Sequence, residues 1–299
     1  MPDIKDIRLV NQALSNLSQQ YRNREMIADE VFPVVPVRRD SDVYYVYGLE
    51  SFKSERTRRA PRTAAPVISW GLTTATYAVQ EHWLSDRIDD AERRNADAGL
   101  NLDFDSVQTL TDKLLLGREE RVATLLTDTN NWTNDSPSNG WDEEAGTPID
   151  DVRAAVAGII MMRPNTMILP RPVFDALRHS KQILDRMPSE RGLITLDILK
   201  DFFEMARILV AGAVHNTAAE GQTAVMDYVY GDSVWIGYVA PRPGLRQASA
   251  GYTFRSLPMT VRKWREEAEH SDAIEVGHAD ADQITASGLG TLLTNVLQA

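Results

Sequence analysis

The stretch from Phe104 to Asp128, FDSVQTLTDKLLLGREERVATLLTD, constrains this chain more than any other. Its apolar residues are Phe104, Val107, Leu110, Leu114, Leu115, Val122, Leu125 and Leu126. They recur mostly at threes, fours and sevens, which lays them along one stripe of a helix. Asp103 or Asp105 offers an acceptor for the orphan N–H groups at its start. Roughly 24 residues rising about 1.5 Å each make a rod of about 36 Å. A rod that long with one apolar stripe needs a surface to lie on. The flanking sequence holds strand-like material and no second helix of similar length. The expected architecture is a spine helix with sheets packed along it.

The chain has 299 residues, enough for one large or two modest cores. No apolar run approaches the roughly 18 residues that a membrane span needs. The N-terminal MPDIKDIRLVNQ is polar and lacks the apolar centre of a signal peptide. With no cysteine, disulfides, thiolate chemistry and cysteine-built zinc sites are excluded, which suits a reducing cytoplasm. The net charge, 32 − 43 = −11, argues against coating DNA by overall attraction.

The distribution of charge is more informative. Lys53, Arg56, Arg58, Arg59 and Arg62 stand against Glu55, a net of +4 in ten residues. Between Val122 and Val152 stand Asp128, Asp135, Asp142, Glu143, Glu144, Asp150 and Asp151 with no lysine or arginine, a net of −7. Two solvated loops account for this. So does a contact between the two, within a subunit or between subunits.

Taken in order, residues 1 to about 40 read as an arm. Ile7–Leu17 has the spacing of a short helix, and Pro33 and Pro36 among valines favour extended backbone away from the centre of a sheet. Such a segment lies across another surface, its own subunit's or a neighbour's. VYYVY (43–47) and VISWGLTTATYAVQ (67–80) read as strands, the second bent at Gly71, joined by a long basic tip into an extended hairpin. Residues 81–98 carry a helix start, with Ser85 as N-cap and Asp86, Asp89 and Asp90 in the first turns. After the spine, residues 129–147 are a polar loop. Thr147-Pro148-Ile149-Asp150 opens a helix reaching Met162, ended by Pro164. Strands and helices then alternate: TMILP, RPVFDALRHS, SKQILDRM, LDILKDFFEM capped by Thr195, RILVAGAVHN, AVMDYVY and SVWIGYVA. MTVRKWREE and DAIEVGHADADQI read as long paired strands, with Met259 and Val261, and Trp264 as a further candidate, on the apolar face. The tail TASGLGTLLTNVL is weakly apolar.

Catalytic signals are sparse. There is no G-x-S-x-G elbow, P-loop, dinucleotide fingerprint or H-E-x-x-H. The histidines are scattered. His278 with Asp280 and Asp282 has a faint metal-site look, but a solvated acidic turn explains it better, since no second cluster completes a ligand set. Asp89, Asp90 and Glu92 read as a charged helix face. The six tryptophans suit core and interface anchoring better than a base-stacking platform.

The order of these blocks resembles the major capsid proteins of tailed bacteriophages, whose shell fold is shared with encapsulins. The resemblance rests on REMIADEVFPVVPV in the arm, the basic loop between the strands at 43–47 and 67–80, and LLLGREERVATLLTD in the spine. It continues in ITLDILKDFFEMARILVAGAVHN, DSVWIGYVAP and GYTFRS. It spans nearly the whole chain. Each motif is modestly specific, and their order is more so.

The resemblance implies an α+β fold: an N-terminal arm (1–40), an extended β-hairpin loop (41–84), a peripheral domain (85–150 with 255–299) and an α/β axial domain (151–254). The peripheral domain would carry the long spine helix and long strands. It further implies no catalytic residue, no cofactor and no metal. Its partners would be copies of itself in pentamers and hexamers, separate scaffolding, portal and decoration proteins, and packaged double-stranded DNA held without specific binding, with no membrane. Many relatives carry a cleaved scaffolding segment ahead of the arm, whereas here the arm begins almost at Met1. Lys53 lies where some relatives form a covalent cross-link, but its partners have no match here, so none is expected.

Three functions follow for comparison. One is a structural protein of the virion, assembled in the host cytoplasm into an icosahedral DNA-filled head. Another is an encapsulin-like compartment with protein cargo, and the last a soluble α/β enzyme, which would need a pocket lined with titratable groups. Inter-subunit contact is expected from Lys53, Arg56, Arg58, Arg59 and Arg62 on one side and Asp142, Glu143 and Glu144 on the other.

Overall fold

The computed structural model describes residues 9–10, 25–47, 54, 58–59, 62, 64, 73–96, 101–186, 194–219, 221–244 and 247–298. In chain order its first elements are β1 (Leu9–Val10), α1 (Ala28–Val31), β2 (Val34–Pro36), β3 (Ser41–Val46), β4 (Thr73–Ala78) and β5 (Gln80–Asp89). Then come α2 (Asp90–Asn95), α3 (Leu102–Thr127), β6 (Thr133–Asp135), α4 (Pro148–Gly158), β7 (Thr166–Pro170), α5 (Arg171–Leu177), α6 (Lys181–Leu184) and α7 (Leu196–Phe203). The chain closes with β8 (Arg207–Ala211), β9 (Val214–Asn216), β10 (Met226–Tyr228), β11 (Val234–Gly237), β12 (Gly251–Glu266), β13 (Ser271–Ile284) and β14 (Gly290–Leu293).

The spine is α3, and a sheet does lie along it. One sheet runs β1-β12-β13-β5, with β2 also on β12. Val107, Leu110 and Leu114 of the spine pack on Ile88, Met259, Val261, Ile274 and Val276 from three of those strands. Each such side chain contributes about 1.5–3 kcal/mol relative to exposure. Phe104, counted in the stripe, is instead exposed. The helix cap is Asn101, whose Oδ1 accepts from the Phe104 amide, not Asp103 or Asp105. Asp103 is drawn away by Arg93 at 2.7 Å and Lys263 at 2.6 Å.

The long C-terminal strands form the expected hairpin, paired from Gly251↔Ile284 to Glu266↔Ser271. Trp264 has the opposite parity to Met259 and Val261, and Lys263 continues their face, reaching Asp103 on the spine. The expected helix at 81–98 is mostly strand. β5 pairs with β13 along its whole length, and the helix is only Asp90–Asn95, capped by Asp89 through the Ala91 amide at 2.6 Å. Ser85, Asp86 and Asp89 look like helix-start residues in isolation. Pairing with a long neighbour strand, with Ile88 buried against the spine, overrides that local preference.

The described parts of residues 1–40 pack on the same chain. β2 pairs in parallel with β12 at Thr253–Arg255, and Leu9–Val10 pairs antiparallel at Arg262–Lys263. Those two residues are strand, not helix, and the rest of Ile7–Leu17 lies outside the described residues. β2 sits at the sheet's rim, where prolines are tolerated. Phe32 is buried against Gly251, where a Cβ would stand 2.4 Å from its ring.

The hairpin of β3 and β4 pairs from Ser41↔Ala78 to Val46↔Thr73. Its base folds back on the body: Tyr77 stacks on Phe254 of β12 at 4.5 Å and Tyr44 tilts on the same ring at 5.3 Å. Most of its basic tip, Gly71 included, lies outside the described residues.

A second sheet runs β6-β14-β11-β7-β8. α4 starts at Pro148 after Thr147 as expected but stops at Gly158 rather than Met162, leaving Ile160 86% exposed. RILVAGAVHN splits into β8 and β9 around Gly212. The tail, weakly apolar in sequence, is core: Leu289, Leu292, Leu293 and Val296 are buried, because β14 inserts between β11 and β6. The polar loop after the spine contributes β6 and two core tryptophans, Trp132 and Trp141.

Candidate functional site: a buried charge junction

The spine carries two adjacent charged residues in its core. Arg118 is 2% exposed and Glu119 is fully buried. Steps of three and four from Val107 pass through Thr111, Leu114, Arg118, Val122 and Leu126, so Arg118 stands in the apolar stripe itself. The seven-residue interval between Leu115 and Val122 was the sequence signal for this, since a stripe on a buried helix does not skip two turns.

Arg118 reaches the arm and the hairpin together. Its Nη1 donates to Asp29, its Nη2 to Thr253 Oγ1 at 3.1 Å, and its Nε lies 3.6 Å from Asp280 and 3.7 Å from Asp282. Arg121, one turn on, donates to Asp280 at 3.0 Å, and Arg255 donates to its other oxygen at 3.2 Å. His278 Nε2 is 3.2 Å from the same carboxylate, and Thr253 donates to Asp282 at 2.6 Å. Burial pushes the Asp280 carboxyl up, but His278, Arg118 and Arg255 together hold it well below the ordinary carboxylate value. Burial also lowers Arg118, and Asp29, Asp282 and Asp280 more than restore it. His82 faces this cluster from β5, and burial and Arg121 depress its imidazole.

Glu119 points to the arm and to the second sheet's side of the molecule. It accepts from the Ile27 and Ala28 amides, each at 2.9 Å, and from the Tyr230 hydroxyl at 2.8 Å. These amides are orphan donors at the start of α1, so a spine side chain completes the arm's helix. Burial pushes the Glu119 carboxyl up despite the three donors, and burial with the neighbouring carboxylate pushes Tyr230 well up. Two consecutive residues thus tie arm, spine, hairpin strands and the segment before β11 into one body.

This arrangement corrects the reading of His278, Asp280 and Asp282. They are neither a solvated turn nor a metal set. They lie in a buried strand, and three arginines occupy the carboxylates. Among the described residues no group of three or more histidines and carboxylates is placed to hold a metal. A groove of about 500 Å³ lies between β2, β3 and β12 and is walled by Tyr44, Tyr45, Tyr77, Tyr252 and Phe254.

The residues expected at subunit contacts are dispersed. Lys53 and Arg56 lie outside the described residues, and Arg58, Arg59 and Arg62 are exposed. Arg62 has φ 63°, an uncommon left-handed backbone for arginine. On the acidic side Asp142 accepts from the Gln298 amide at 3.0 Å, Glu144 pairs with Lys181, and Glu143 is half-buried. Asp151 accepts from Trp141 Nε1 at 2.9 Å and Asp150 from Gln182 at 2.6 Å. Much of the acidic segment is therefore used inside the subunit.

No family model matches the chain. It is 28% identical to the major capsid protein of Burkholderia phage BcepMu over 270 residues, 85% of this chain and 86% of that one. It is 25% identical to the major capsid protein of Pseudomonas phage JBD67, covering 97% of this chain and 98% of the other. Its structure superposes on a phage-related protein of Bordetella bronchiseptica RB50 with a TM-score of 0.80 at 24% identity, over 98% and 99% of the two chains. The mature capsid of bacteriophage PhiM1 gives 0.59 at 13% identity, over 92% and 88%. A virus-like particle from Pyrococcus furiosus gives 0.61 at 12% identity, over 94% and 97%. The chain thus has homologues named major capsid protein in Burkholderia and Pseudomonas phages, and its fold is that of the phage capsids.

Proposed function

We propose that this chain is the shell subunit of a tailed-phage head. Copies of it assemble as pentamers and hexamers into an icosahedral wall around double-stranded DNA. The observation that carries this reading is likeness over 97% of the chain to a protein named major capsid protein. The charge agrees with it. A net of −11 suits a wall along which packed DNA slides without specific binding. The buried junction suits it too, since a subunit loaded from several sides needs its arm, spine and sheets to act as one body.

In this reading residues 1–40 are the arm, 41–84 the extended loop, 85–150 with 255–299 the peripheral domain and 151–254 the axial domain. The role is structural, with no catalytic step. Assembly takes place in the host cytoplasm, with scaffolding, portal and decoration proteins as further partners. The basic segment Lys53, Arg56, Arg58, Arg59 and Arg62 meets an acidic surface of a neighbouring subunit, with Asp142, Glu143 and Glu144 as its counterpart. Reversing Arg56, Arg58, Arg59 and Arg62 to Glu tests this contact. The variant is expected to keep the subunit's circular dichroism and lose particles in sedimentation. Particles in normal yield contradict the contact.

A further inference from the structure

β5 is the outermost strand of its sheet. It pairs with β13 on one side, and no described strand pairs with the other. Ten residues is long for an open edge, because a row of free N–H and C=O groups templates pairing with another chain. Edge strands are commonly blunted by charge, and β5 does carry charge. Its charges, however, are placed about Leu84 so that the strand complements itself.

Set two copies antiparallel with Leu84 opposite Leu84. Glu81 then faces Arg87, His82 faces Asp86, and Trp83 faces Ser85, each twice. Glu81, Leu84, Ser85, Asp86 and Arg87 are all exposed. A slip of one residue puts His82 opposite Asp86's neighbour on either side and loses the Glu81–Arg87 match, so the charges define one register. Within the subunit Arg87 also holds Glu266 and Glu269, and Glu81 accepts from Trp83 Nε1 at 2.9 Å. The cross-strand ions therefore select the register, while strand hydrogen bonds and the Leu84 contact supply the attraction.

We propose that the free edge of β5 is a contact between two copies of this chain, an antiparallel strand pair centred on Leu84. The axis relating the copies is normal to the sheet. It keeps both spine helices on one face and joins two sheets into one. Such a contact is isologous and closes on itself, as a two-fold axis of an icosahedral shell requires. The proposal rests on the shell reading above.

The absence of cysteine makes the test direct, since Leu84→Cys adds the sole thiol. Facing Cα atoms in an antiparallel pair are about 4.5 or 5.5 Å apart. Both separations fall within the roughly 4.4–6.8 Å that a disulfide spans. Oxidised particles of Leu84→Cys are expected to run mostly as covalent dimers on a denaturing gel without reductant. Ser85→Cys places its two thiols two residues out of register, about 7 Å apart along the strands, and is expected to run as monomer. Closed particles of Leu84→Cys without dimer overturn the proposal, as does equal cross-linking of Ser85→Cys.

Hydrogen exchange on the unaltered protein gives an independent reading should that variant not assemble. Amides of β5 are expected to exchange at least tenfold more slowly in particles than in free subunits. Equal rates overturn the contact. A wild-type chain that never forms particles refutes the shell reading instead.

Discussion

Replacing Asp280 with Asn keeps the shape of the side chain and removes one buried charge. Asp280 is fully buried, with Arg121 at 3.0 Å, Arg255 at 3.2 Å and Arg118 at 3.6 Å. Losing one partner of a buried ionic cluster costs about 3–5 kcal/mol, because the remaining charge is left uncompensated. Two of the three arginines are partly exposed, at 33% and 20%, and turn toward water. Arg118, at 2%, cannot, and keeps Asp282 and the more exposed Asp29. The expected loss is therefore at the lower end, about 3 kcal/mol, or roughly a hundredfold in the unfolding equilibrium. That is a large share of a typical stability of about 5–15 kcal/mol. Urea unfolding of the unassembled subunit reads it through the buried Trp132, Trp141 and Trp235. Glu144→Gln, which breaks the exposed pair with Lys181, is the control and should leave the midpoint in place. If Asp280→Asn unfolds at the wild-type midpoint, or the control moves as far, the junction does not hold the fold together.

Three further outcomes follow from the same contacts. The folded Asp280 carboxyl lies well below the free value near 3.9, so its stabilisation is complete above that value and is lost progressively as pH falls from there through the lower folded value; stability is expected to start falling below about pH 4, and less so in Asp280→Asn. Gly251→Ala drives a Cβ into the buried Phe32 ring and is expected to destabilise by about 1–3 kcal/mol with faster exchange in the arm, whereas Gly117→Ala, with nothing within 4 Å, should stabilise the spine by about 0.5–1 kcal/mol in the same unfolding assay. Tyr230→Phe removes one of three donors from Glu119, and a loss of about 0.5–1.5 kcal/mol in urea unfolding is expected.

The sequence showed most where periodicity ran long. The spine, the C-terminal hairpin and the helix opening at Thr147-Pro148 are all legible because the pattern repeats over many residues, or because proline and a capping residue coincide. It misled where local preference met a distant partner. Ser85, Asp86 and Asp89 read as a helix start, yet β13 recruits them into a strand. The tail reads as weakly apolar because TLL is short, and only its place between β11 and β6 makes it core. The junction was hidden for a related reason. Arg118, Glu119, Asp280 and Asp282 are charged, and charged residues are read as surface unless paired. For Arg118 the carboxylates lie 89 residues before it, at Asp29, and 164 after it, at Asp282, so no local window contains those pairs. The stripe's rhythm through position 118 was the one trace of it.

Electron microscopy of the purified, concentrated protein tests the shell most directly. Closed particles of uniform size are expected, and in infected cells the same particles should contain double-stranded DNA. Subunits that remain monomeric across all concentrations and conditions, or particles filled with a protein cargo and no genome, contradict a phage head.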